Sequence, residues 1–257
     1  MLLAITLLTS LSFAAIYPLC FWMNFRDPLK DNFHRFHLGL PTIVASVATI
    51  FIFLNDFPSN IKFTLSVWTV ILTLRTYYYW HKESPDARII TIPCLIGLYG
   101  LIQLESYLIT PKIALHVASI LSGAIFCASL YAMNLGHWYL NVHGLPIKHL
   151  KNSIYVLGLF LLVRLLFDFY SLFAAQVIHL GEKIQILKFL FTLDGFLLSL
   201  GIVFGTLLPL AALFFVHETV KLKNTQSTTG ILYVILCSVL IGDMTYKYYF
   251  IKFHVFL

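Results

Sequence analysis

The chain has 257 residues; 60% are hydrophobic, 16% aromatic and only 11% charged. A soluble domain carries about 25% charged residues, and a disordered chain is rich in charge and poor in aromatics, so both classes are excluded. The net charge of +6 is spread over many short connections, which suits anionic lipid headgroups and points away from nucleic acid.

What remains is an all-α, polytopic integral membrane bundle of about eight spans with short loops, read as one domain over residues 1–257. A spanning helix needs roughly 20 mostly apolar residues. Such runs fall at about 1–23, 38–55, 60–80, 88–108, 111–140, 151–178, 187–216 and 229–250. Barrel strands alternate apolar and polar over about ten residues, whereas these runs are long and continuous. A helix also satisfies its own backbone in lipid.

The first run has no Lys or Arg ahead of its apolar core, so it reads as a retained span rather than a cleaved signal. The longest connection follows, from about Asn24 to His37, and holds His34-x-x-His37. Span three ends in Tyr77-Tyr78-Tyr79-Trp80, an aromatic belt of the kind found where lipid meets water. Span four contains Pro93, Gly97 and Gly100, with Glu105 near its outer end. Span five begins near His116 and ends at Trp138-Tyr139, followed by a turn at Gly144-Leu145-Pro146.

Span six carries Arg164 near its middle and Asp168 one helical turn on, on the same face. Span seven holds Asp194 about two turns in, then Gly201-x-x-x-Gly205, spacing that lets another helix approach closely, and Pro209. Ser227 or Thr228 is positioned to cap span eight. That span contains Asp243 and ends in a belt of Tyr246, Tyr248 and Tyr249. Cys20, Cys94, Cys127 and Cys237 lie far apart inside spans and read as small core residues.

Lys and Arg in short loops set orientation. Nine follow odd-numbered spans: Arg26, Lys30, Arg35, Lys82, Arg88, Lys148, Lys151, Lys221 and Lys223. Six lie on the other side: Lys62, Lys112, Lys183, Lys188, Lys247 and Lys252. The bias puts odd-numbered loops in the cytoplasm and both termini outside, most naturally across a bacterial cytoplasmic membrane.

Ionisable groups at membrane depth are costly and mark function by default. Arg164 cannot shed its proton and needs an anion or water. On this orientation Arg164, Asp168, Glu105, His116, Asp194 and Asp243 share a depth, where they can form one pocket for protons or a quinone headgroup. The alternative is an internal Arg164–Asp168 pair with the other groups reaching headgroups. On the inner side stand His34, His37, His81, His137, His143, His149 and His217. Only His137 and His217 are helical at matching depth, as haem b ligation would require; otherwise these are interfacial histidines. Gly-rich phosphate loops, Ser/His/Asp nucleophile patterns and paired zinc signatures are absent.

In architecture alone, eight spans with very short loops and a buried Arg/Asp pair resemble membrane anchors of the polysulfide-reductase and DMSO-reductase type. That resemblance implies quinol binding and pairing with iron–sulfur subunits. The expected function is therefore a membrane subunit of a respiratory or redox complex, with quinone or proton chemistry inside it and protein partners beside it. The alternatives are a secondary transporter, though no paired halves are visible, a non-catalytic scaffold, and an intramembrane enzyme acting on lipid.

Overall fold

The computed structural model describes residues 1–27, 29, 32–109, 113–142 and 144–255. Lys30, Lys112 and His143, used above for orientation and for the inner histidines, lie outside the described residues. The chain groups into two compact units, Leu2–Leu108 and Ile109–Leu257.

In the first unit, α1 (Leu2–Ile16) runs into a 3-10 helix over Tyr17–Asn24 with Pro18 in its first turn. Pro18 cannot donate to the α1 carbonyls one turn back, and the helix tightens from α to 3-10 at that point. Then come α2 (Phe33–Leu54), α3 (Ser59–Tyr79) and α4 (Ala87–Leu108). Small residues set the packing: a Cβ on Gly97 would meet Trp68 at 2.5 Å, and one on Gly100 would meet Leu65 at 2.7 Å. Hydroxyl pairs tie α2 to α3, Thr42 to Thr76 at 2.7 Å and Thr49 to Thr69 at 2.8 Å, bonds for which lipid offers no substitute partner.

The second unit contains α5 (Ile113–Asn141) and α6 (Lys148–Ala174), then strands β1 (Gln176–His179) and β2 (Glu182–Gln185). A short α7 (Ile186–Phe189) and a turn lead into α8 (Phe196–Ile202) and a π-helical segment over Val203–Leu207. Then α9 (Leu208–Lys221) and α10 (Thr225–Phe253) follow. The π segment sits just before Pro209, whose ring nitrogen cannot donate back into the helix; a widened turn is a common response.

The described residues contain seven helices long and apolar enough to cross a membrane: Leu2–Asn24, Phe33–Leu54, Ala87–Leu108, Ile113–Asn141, Lys148–Ala174, Phe196–Lys221 and Thr225–Phe253. The chain is thus a polytopic all-α membrane bundle. The expected third span, α3, has membrane length, but Asn60, Lys62, Arg75 and its threonines make it more polar than the other seven.

Two boundaries need correction. Span six stops at Ala174, where a β-hairpin over residues 176–185 follows, and span seven starts at Phe196, because the short α7 and a turn occupy residues 186–195. The hairpin strands pair Gln176 with Gln185 and His179 with Glu182. Leu180 and Gly181 both have positive φ, 52° and 86°, the two-residue turn that matches strand twist. The cap of α10 is Asn224, whose side chain accepts from the Ser227 N–H at 3.0 Å, rather than Ser227 or Thr228.

Candidate functional site

The site belongs to the second unit and begins on α6. Arg164 Nε lies 2.8 Å from Asp168 Oδ1, with the two side chains 1% and 2% exposed. The other carboxylate oxygen, Oδ2, accepts from the Thr206 hydroxyl at 2.7 Å. Tyr246 OH lies 3.2 Å from Thr206 Oγ1 and donates to Asp168 Oδ2 at 3.5 Å. The Arg164 guanidinium stands 3.9 Å from the centre of the Tyr246 ring, a cation–π contact strengthened by the dry surroundings. Arg164 Nη1 donates to the Ala118 carbonyl of α5 at 3.4 Å.

One turn further along α5, Ser122 donates to Asp243 Oδ1 at 2.8 Å. Asp243 Oδ2 accepts from Lys247 Nζ at 2.6 Å, with side chains 1% and 0% exposed. The cation precedes the acid on α6, and the acid precedes the cation on α10. Each pair is neutral overall, as burial demands: a lone charge there would cost several kcal/mol after relaxation.

Glycines make this arrangement possible. A Cβ on Gly242 would stand 2.2 Å from Gly205 Cα, and one on Gly205 would meet the Tyr246 ring at 2.6 Å. Gly201-x-x-x-Gly205 is therefore the close-approach face that its spacing suggests. That contact and the π segment bring Thr206 and Tyr246 against Asp168.

No family model, curated protein or solved structure matches the chain. The site must therefore be read from its own geometry.

Of the residues singled out in the sequence, Arg164, Asp168 and Asp243 lie in this network. Asp194 does not. It sits in the turn before α8, 48% exposed, with Oδ2 3.1 Å from His179 of the hairpin and Oδ1 3.9 Å from Lys252. Its backbone carbonyl accepts from Tyr249 OH. The later start of span seven moves it from membrane depth to the surface. His116 is half-buried in the first turn of α5. Glu105 is fully buried in α4 of the other unit and so does not reach headgroups.

The sequence reading missed four members: Ser122, Thr206, Tyr246 and Lys247. Lys247 is not a loop lysine, and Tyr246 and Tyr249 are not belt residues; all three are buried in α10, which continues to Phe253. The signal for Lys247 was present, since Asp243-x-x-x-Lys247 repeats the spacing of Arg164-x-x-x-Asp168.

The histidines divide. His34, His37 and His149 are buried rather than interfacial, and His34-x-x-His37 lies in the first turns of α2, not in a loop. His37 Nδ1 is 2.6 Å from Tyr17 OH. His34 Nε2 lies 3.0 Å from the Tyr79 carbonyl, so that nitrogen carries the proton. His137 is exposed on α5, and His217 is half-buried on α9 beside Tyr155. A bis-histidine haem site needs two imidazoles facing each other inside the bundle, and an exposed His137 does not fit it. Among the described residues no group of three or more His, Cys, Asp or Glu is placed to hold a metal ion. Cys20, Cys94 and Cys127 are buried, and Cys237 is exposed rather than in the core.

Proposed function

We propose that the chain is an integral membrane subunit of a redox complex whose buried network passes protons within the bilayer. The observation that carries this reading is the pair of ion pairs, Arg164–Asp168 and Asp243–Lys247, both at most 2% exposed, with Tyr246, which meets the first pair, on the same helix, α10, as the second. Ion pairs in hydrocarbon are expensive and mark proton relays in membrane proteins. Both oxygens of Asp168 are already engaged, which favours proton transfer along the network over a quinone headgroup in it. Electron carriers belong, on this reading, to partner subunits. Orientation follows the Lys/Arg bias with α3 counted as an eighth crossing: with Lys247 removed from the loop tally, nine stand against five, which favours odd-numbered connections in the cytoplasm of a bacterial cell and both termini outside.

A scaffold reading has one observation in its favour, the tight Gly205–Gly242 contact, which a static lock would also use. Proton flux separates the two. The full chain is reconstituted in liposomes with an internal pH dye, and a potential is imposed. The relay predicts flux above that of empty liposomes, cut about a hundredfold or more by Asp168→Asn or Lys247→Met, the scale of losing one proton-transfer group. Flux at the empty-liposome level, with normal melting of the wild-type protein, supports the scaffold instead.

A further inference from the structure

The start of α6 and the end of α9 enclose a cavity of about 200 Å³, lined by Lys151, Ile154 and Tyr155 from α6 and by His217, Val220 and Lys221 from α9. Its polar lining is cationic. Lys148 and Lys223 stand at the same end of the unit. Among the described residues of these two helix ends Glu218 is the acid, and its carboxylate is bound to Lys221 at 2.7 Å. The neighbouring elements add no others: α5 contains no Asp or Glu, and α10 has none before Asp243. Lys151 has no carboxylate partner among the described residues. The Tyr155 ring lies beside His217, with centroids 6.1 Å apart, and is mostly exposed, as a tyrosine at headgroup level is.

Drug-sized sites occupy about 300–1,000 Å³; this cavity suits a headgroup-sized anion. Two lysines, a histidine and a tyrosine from two helices line it; Lys221 shares its charge with Glu218, and Lys151 carries its charge without a carboxylate beside it among the described residues. Lysine binds phosphate as a point charge without needing a fixed fork. Basic pockets between membrane helices are also where anionic headgroups are held. We infer that this cavity binds a phosphate-ester anion, and that Lys151 and Lys221 supply its charge.

The test uses the full chain in nanodiscs of phosphatidylcholine, with or without phosphatidylglycerol, read by native mass spectrometry of retained lipid and by melting temperature. Inorganic phosphate added to pure phosphatidylcholine discs forms the second arm. The variants are Lys151→Gln/Lys221→Gln and a charge-matched control, Lys183→Gln/Lys188→Gln, at the hairpin end. Preferential retention of phosphatidylglycerol by wild type, weakened about fivefold per lysine removed in the first variant and preserved in the control, identifies a lipid headgroup site. A melting increase with inorganic phosphate alone, lost in the first variant only, identifies a site for free phosphate esters. Equal behaviour of wild type and the Lys151/Lys221 variant in both arms, or no response of wild type in either, overturns the inference.

Discussion

Arg164 is the residue whose environment decides most. Its charge is permanent, it is buried, and three kinds of contact hold it: the carboxylate of Asp168, the face of Tyr246 and the Ala118 carbonyl. Removing one partner of such a pair leaves an uncompensated charge, which costs about 3–5 kcal/mol. Arg164→Gln and Asp168→Asn should each lower stability by that order. The double variant should recover a substantial part, because neither charge remains; a double-mutant cycle by thermal melting measures this. Lys247→Met should likewise be rescued by Asp243→Asn. The sequence shows the Arg164–Asp168 pair plainly, because a one-turn spacing has one geometric meaning. It hides Thr206 and Tyr246, whose roles depend on helices distant in the chain: a threonine after Gly205 and a tyrosine near a helix end look ordinary until the crossing is known.

At the scale of elements, glycine placement governs which helices touch. Gly242→Leu should wedge α10 from the π segment, lower stability by several kcal/mol in the range of overpacked sites, and disturb Tyr246 as well. Gly230→Ala faces open space and should be neutral or slightly stabilising in melting experiments, since alanine favours a helix by about 1 kcal/mol over glycine. The hairpin offers a local test. Gly181 sits at φ 86°, where a side chain costs about 1–2 kcal/mol, so Gly181→Val should raise proteolysis near residues 176–185 more than it lowers the global melting temperature. The close-approach face at Gly201 and Gly205 was readable from spacing. The hairpin was not: Val177 and Ile178 read as the end of span six, Leu187, Phe189, Leu190 and Phe191 as the start of span seven, and no Asn-Gly or Asp-Gly marks the turn between them. That misreading carried Asp194 into the membrane.

For the whole molecule, composition alone dictates a membrane bundle, because 11% charge cannot cover a soluble surface. The division into units at residues 108–109 leaves no such trace, since short connections join every pair of helices alike. Orientation can be checked within the second unit. Lys151→Cys and Lys221→Cys should react with an impermeant thiol reagent from the cytoplasmic side, and Lys183→Cys and Lys188→Cys from the other. Labelling of all four from one side would contradict the assigned topology.

The most direct test of the relay is Tyr246→Phe. The substitution keeps the ring under Arg164 and removes only the hydroxyl that lies against Thr206 and Asp168. The relay predicts that liposome proton flux falls by about a hundredfold or more, while stability changes by only about 1 kcal/mol, the worth of one hydrogen bond. Unchanged flux with that same small loss of stability would contradict it.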